Sequence, residues 1–158
     1  MLGEENFDKI RNTLAACDAH NARLNSALKK LSVLFPLSES TFSELSEDEV
    51  SYTDQLILRF LKLQDLIGKK LFLQTLLILQ EDYSDRPILD ILNRLEQLKI
   101  IDSAENWIAF REVRNLITHD YPHLVGELIE GLNQLSLKVV ELSMLYEKIK
   151  DYVMKRIA

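Results

Sequence analysis

The chain has one cysteine, Cys17, in 158 residues, which excludes an intrachain disulfide framework and leaves no Cys/His set spaced for structural zinc. Four glycines and three prolines are too few for the turn-rich spacing of an all-β domain. No long apolar run is present either. The strongest, Leu71 to Leu79, is broken by Gln74 and Thr75 and falls short of the roughly 20 residues that cross a bilayer, so no membrane association is expected. The opening segment Met1 to Asp8 is acidic rather than basic-then-apolar, so it does not read as a secretory signal, and a cytoplasmic address is expected. Gly-rich phosphate loops, a G-x-S-x-G elbow and an H-E-x-x-H helix are all missing, which removes three common enzymatic signatures. An excess of positive charge is missing too. The net charge of −6 argues against indiscriminate nucleic-acid binding and confines any such site to a local basic cleft.

What remains is abundant Leu, Ile, Glu and Lys, the composition of long helices. The length fits one domain covering residues 1–158. Phe7, Ile10, Leu14, Cys17, Leu24, Leu28 and Leu31 advance in steps of three and four, one apolar helix face ending near Pro36, with Asn21 at the skipped position. Asn21 either fixes register, reaches a site, or is a hydrogen-bonded residue at the core edge. Ser46 to Glu49 has the spacing of a capping box, opening a second helix through Leu56, Phe60, Leu63 and Ile67 into the Leu71 to Leu79 segment. Gly68 within it suggests close helix approach rather than a break. Pro87 starts a short helix through Ile91, Leu92, Leu95 and Leu98. Asp102 to Glu105 caps another, through Trp107, Phe110, Val113 and Ile117, which stops near Pro122. The last seam, from Leu128 through Leu135, Val139, Leu142, Tyr146 and Ile149 to Val153, predicts one long helix. The expected fold is all-α, an antiparallel up-and-down four-helix bundle with an additional short helix.

The chemistry concentrates in Arg114-Asn115-Leu116-Ile117-Thr118-His119-Asp120-Tyr121. Arginine presents a planar, permanently charged fork suited to phosphate oxygens, and histidine titrates near neutrality. As plain structure, Arg114 and His119 would hydrogen-bond the last carbonyls of a helix while Tyr121 packs beside Pro122. As a site, Arg114 and His119 are candidates for phosphodiester cleavage, with Arg111 on the same helix face adding cationic reach. Asn115 and Thr118 would orient substrate or brace the helix end. Five residues separate Arg114 from His119, roughly 140° around a regular helix, so one straight helix does not aim both at one phosphate. Either the helix opens before His119, or a second copy of the motif completes the site. His119 would take a proton from a ribose 2′-hydroxyl or supply one to the leaving oxygen, two roles that suit a pair of histidines. Charge on the phosphoryl oxygens would fall to Arg114 and Arg111, work that needs no metal. The histidines His20, His119 and His123 lack the spacing of metal ligands, and neither metal nor cofactor is expected. Cys17 reads as a small buried apolar residue. Lys69, Lys70, Lys148, Lys150, Lys155 and Arg156 read as solvated helix faces, some able to extend a basic groove.

The octapeptide, preceded by Trp107 and Arg111 on the same helix, resembles the R-x-x-x-x-H-x-Y signature of HEPN-domain proteins, especially the toxin half of prokaryotic HEPN and minimal-nucleotidyltransferase pairs. The resemblance covers eight motif residues directly and the rest of the chain only as helical architecture. It implies a homodimer in which two motifs face each other and form a metal-independent endoribonuclease cleft acting on RNA. Arg114 and His119 correspond to the catalytic pair, Asn115 to a supporting polar residue, and Tyr121 to a tyrosine that a cognate nucleotidyltransferase antitoxin modifies with AMP in some members. The alternative is a non-catalytic nucleotide-binding or docking subunit for such a nucleotidyltransferase. The acidic, Ser-rich stretch 38–48 is not explained by the motif.

Overall fold

A computed structural model describes residues 2–118 and 125–158. The fold is all-α, with no strand among the described residues. Helix α1 (Leu2–Leu31) buries Ile10, Leu14, Cys17, Leu24, Ala27 and Leu31 along one stripe, as the three- and four-residue steps predict. A 3₁₀ turn (Ser32–Leu34) ends it. The connector that follows is tied down by Asn133, whose Oδ1 accepts from the Leu37 amide at 2.7 Å while its Nδ2 donates to the Leu37 carbonyl at 3.0 Å. Within the Ser-rich stretch lies a short helix that the periodicity does not predict, α2 (Glu39–Ser43), held by a capping box between Ser38 and Thr41.

Helix α3 (Glu47–Leu66) starts where expected: Ser46 Oγ accepts from the Glu49 amide at 3.1 Å and Glu49 Oε1 from the Ser46 amide at 2.9 Å. It runs through a π turn (Ile67–Leu71) into α4 (Phe72–Ile78). Helix α4 stops in a Schellman motif, with the Glu81 amide on the Leu76 carbonyl and that of Gln80 on Leu77. The αL position is filled by Gln80 at φ 65°, not by glycine. Pro87 caps α5 (Ile88–Gln97), which ends the same way with Lys99 at φ 59°. Helices α6 (Ala104–Ile117) and α7 (Val125–Ile157) complete the described chain.

The main packing pairs are α1 with α3 and α6 with α7, while α1 also meets α4 and α7, and α5 bridges α4 and α6. Phe60, Phe110, Trp107 and Phe72 form an edge-on aromatic chain, with centroid separations of 6.1, 5.6 and 4.7 Å, that joins α3, α6 and α4. Between α1 and α7, the fully buried Tyr146 hydroxyl lies 2.5 Å from Asp18 Oδ1 and 3.0 Å from the Leu14 carbonyl, and Lys150 Nζ donates to the same Asp18 oxygen at 2.9 Å. Asn21, 7% exposed, donates to Glu147 Oε1 at 3.1 Å, so it is the hydrogen-bonded residue at the core edge. No helix among the described residues is long and apolar enough to cross a membrane.

Candidate functional site at the end of α6

Helix α6 begins on Ser103, whose Oγ accepts from the amides of Glu105 and Asn106 at 3.1 and 3.4 Å. Its buried stripe is Ala104, Trp107, Phe110, Val113 and Ile117. That register leaves Arg111, Arg114 and Asn115 off the core, and the structure brings all three to one cavity of about 440 Å³. The opposite wall comes from the end of α3 and the π turn, through Gln64, Asp65, Gly68 and Lys69, with Ile88 of α5 and the edge of Trp107 closing it.

The π turn decides how close these walls come. A Cβ on Gly68 would sit 2.9 Å from Trp107 Cζ2, so only the bare α-carbon lets the indole rest against the turn. The expectation of close approach at Gly68 therefore holds. A π turn inserts an extra residue into the helical circuit and re-aims the side chains around it. Lys69 lines both this cavity and a neighbouring one of about 520 Å³ between α1 and α4. Lys69 is exposed, as a solvated face predicts, and also extends the cationic lining of the cavity.

Arg114 does not spend its guanidinium on helix-end carbonyls. Its Nη1 donates to Asp65 Oδ1 at 2.5 Å, with both side chains about one-third exposed. A single carboxylate occupies one edge of the fork, and among the described residues the other N–H groups have no side-chain partner. Helix-end bracing falls to Thr118, whose Oγ1 donates to the Arg114 carbonyl at 2.7 Å, with its amide on the same oxygen at 3.1 Å. Among the described residues, three cations, Lys69, Arg111 and Arg114, face one acid, Asp65, in the cavity lining, a locally positive spot on an acidic chain. At its back, Gln64 is 5% exposed and its Oε1 has no hydrogen-bond partner among the described residues.

His119 and Tyr121 lie outside the described residues, as do Pro122 and His123. Asp65 and Gln64 were not singled out by sequence reasoning, because Asp65 reaches Arg114 across a separation of 49 residues and nothing local announces the pair, whereas Lys69 was read as a solvated cation able to extend a basic groove. The one available signal was Gly68-Lys69-Lys70 inside an otherwise apolar helical run.

The other candidates resolve simply. Cys17 is fully buried, and burial first, with Asp18 adding, pushes its thiol up to about 12, which leaves no thiolate for nucleophilic work. Lys148, Lys150 and Lys155 pair with Asp102, Asp18 and Asp151, and Arg156 stacks over Tyr152. No cluster of three or more His, Cys, Asp or Glu side chains is placed to hold a metal ion among the described residues. Compared with protein-family models, with curated proteins and with solved structures, the chain matches none.

Proposed function

We propose that the protein is a metal-independent endoribonuclease of the HEPN type, the cytoplasmic toxin of a toxin–antitoxin pair, acting at a cleft built from two copies of the Arg114 to Tyr121 motif in a homodimer. The observation that carries this reading is the convergence of Arg111, Arg114, Asn115 and Lys69 on one cavity in the last turns of α6, directly before His119. Arg114, steadied by Asp65, presents its free donors to a phosphoryl oxygen, while Arg111 and Lys69 add charge as the phosphorane forms. His119 of one copy accepts the 2′-hydroxyl proton and the 2′-oxygen attacks phosphorus. The 5′-oxygen leaves with a proton from His119 of the second copy. The products are a 2′,3′-cyclic phosphate and a 5′-hydroxyl. A cognate minimal nucleotidyltransferase silences the site by attaching AMP to Tyr121, setting bulk and negative charge beside the cations.

Product ends test this chemistry. With chelator present, the protein is expected to cut RNA to cyclic phosphate and 5′-hydroxyl ends, to spare a strand 2′-deoxy at the scissile nucleotide, and to lose activity in His119→Ala. Cutting of the 2′-deoxy strand sinks the mechanism. One observation favours the non-catalytic docking alternative, the Asp65 carboxylate already bound to Arg114. Under that alternative RNA stays intact with wild type and Asp65→Asn alike, while a nucleotidyltransferase still binds.

A further inference from the structure

Away from the α6 cavity, His20 and Arg59 meet across the α1–α3 pair, with Arg23 and Lys62 near enough for their charges to act on the imidazole. His20 and Arg23 are three residues apart on α1, and Arg59 and Lys62 three apart on α3. Arg59 Nη1 donates to His20 Nδ1 at 2.9 Å, a bond that requires Nδ1 to be unprotonated. Partial burial first, then the charges of Arg59, Lys62 and Arg23, hold the imidazole below the usual histidine range.

What the cluster lacks is an acid. Arg94, Arg114, Lys148 and Lys150 each face a carboxylate, whereas Arg23, Arg59 and Lys62 pair with none among the described residues. The Arg59 Nε is buried with no hydrogen-bond partner among the described residues. Three like charges gathered around an imidazole repel one another, in a chain with 25 acidic residues available to offset them. An anion relieves the repulsion.

We propose that His20, Arg23, Arg59 and Lys62 form a phosphoryl-group binding site distinct from the Arg114 cavity. A phosphate oxygen replaces the direct Arg59–His20 hydrogen bond, the two side chains parting to admit it, and accepts from the guanidinium on one side. The imidazole picks up a proton and donates from the other, while Arg23 and Lys62 reach the remaining oxygens. Two arginines and a dianion suit each other through the planar fork of donors. The phosphoryl group belongs either to a small free phosphate or to the backbone of a strand. Arg59 precedes Lys69 by ten residues, about 15 Å along the helix, so one extended strand can touch both sites.

The experiment follows the His20 imidazole by NMR through a pH titration of the full chain at constant ionic strength, with His20→Gln assigning the resonance. The protein is measured alone, with inorganic pyrophosphate, with sulfate, and with a short single-stranded oligoribonucleotide. Pyrophosphate or the oligonucleotide is expected to raise the His20 pKa by about one unit or more, the effect of an opposite charge in contact. Arg59→Gln is expected to weaken binding roughly tenfold or more. Should that variant fold poorly, the exposed Lys62→Gln gives the same direction. A rise with the oligonucleotide alone assigns the site to strand backbone, and a rise with pyrophosphate assigns it to small phosphates as well. An equal rise with sulfate overturns the assignment to phosphoryl groups, and no rise with either phosphate ligand overturns the site. Arg114→Ala must leave the His20 shift intact, so failure here and failure of the ribonuclease reading are separately visible.

Discussion

Replacing Gly68 by alanine pits two effects of known size against each other. In a helix interior alanine is favoured over glycine by about 1 kcal/mol, so a helix with free space around the position gains stability. At Gly68 the new methyl arrives 2.9 Å from Trp107 Cζ2, inside ordinary contact distance, and one partner has to move. The indole is 4% exposed and wedged between Phe72 and Phe110, at 4.7 and 5.6 Å between centroids. Those two rings resist its displacement away from the new methyl. Overpacking of this kind costs about 1–3 kcal/mol, which outweighs the propensity gain and leaves a net loss of up to about 2 kcal/mol. Urea unfolding reads it as a lower midpoint at unchanged slope. Gly3→Ala, with nothing within 4 Å of its added methyl, is the control and is expected to be neutral or stabilising. If Gly68→Ala gains as much as Gly3→Ala, the indole is not locked against the π turn and the account of this cavity wall fails.

Other consequences concern titration, turns and the ion pair. Cys17 is raised from 9.0 to about 12 and Tyr146 is raised above 10.0, each chiefly by burial. Groups raised in the fold favour it below their unfolded values and lose that contribution as pH climbs. Stability should therefore fall by about 1.4 kcal/mol per pH unit from each group, starting near pH 9 for the thiol, and Cys17→Ala should remove the first part of the decline in pH-dependent denaturant melts. Gln80→Gly relieves a non-glycine residue at φ 65° and should raise stability by about 0.5–1 kcal/mol in the same assay. Asp65→Asn should cost no more than about 1 kcal/mol of stability, since the pair is one-third exposed. It should also tighten RNA binding by removing the cavity's carboxylate, and slow cleavage by loosening Arg114. Weaker RNA binding in that variant would contradict the assigned charge balance.

Much of the fold was legible because it is written in local patterns. The steps from Ile10 to Leu31 and from Leu128 to Val153 mark α1 and α7, and Ser46 with Glu49 marks the start of α3 to the residue. The α2 turn was hidden because its five residues are too few to show a period. The π turn was hidden for a different reason: Ile67 to Leu71 reads as regular helix, and only packing of Trp107 against Gly68 shows why the circuit widens there. At the site, Arg111, Arg114 and Asn115 were visible as a motif. Asp65 was not, since its part comes from the meeting of α3 with α6, a tertiary fact with no local signature, and Lys69 was visible only as one of several cations able to extend a basic groove. The cluster of His20 with Arg59 was missed in the same way, spanning 39 residues between two helices.

The central claim, that Arg114 works on RNA without a metal, is tested most directly by single-turnover cleavage of a labelled RNA in excess chelator by wild type and Arg114→Ala, with melting temperatures compared in parallel. The account predicts cutting by wild type and a rate lower by roughly 10²–10³ in Arg114→Ala at nearly unchanged melting temperature, the cost of losing one preorganised donor to the transition state. Equal rates for the two proteins, or intact RNA after incubation with dimeric wild type, would contradict it.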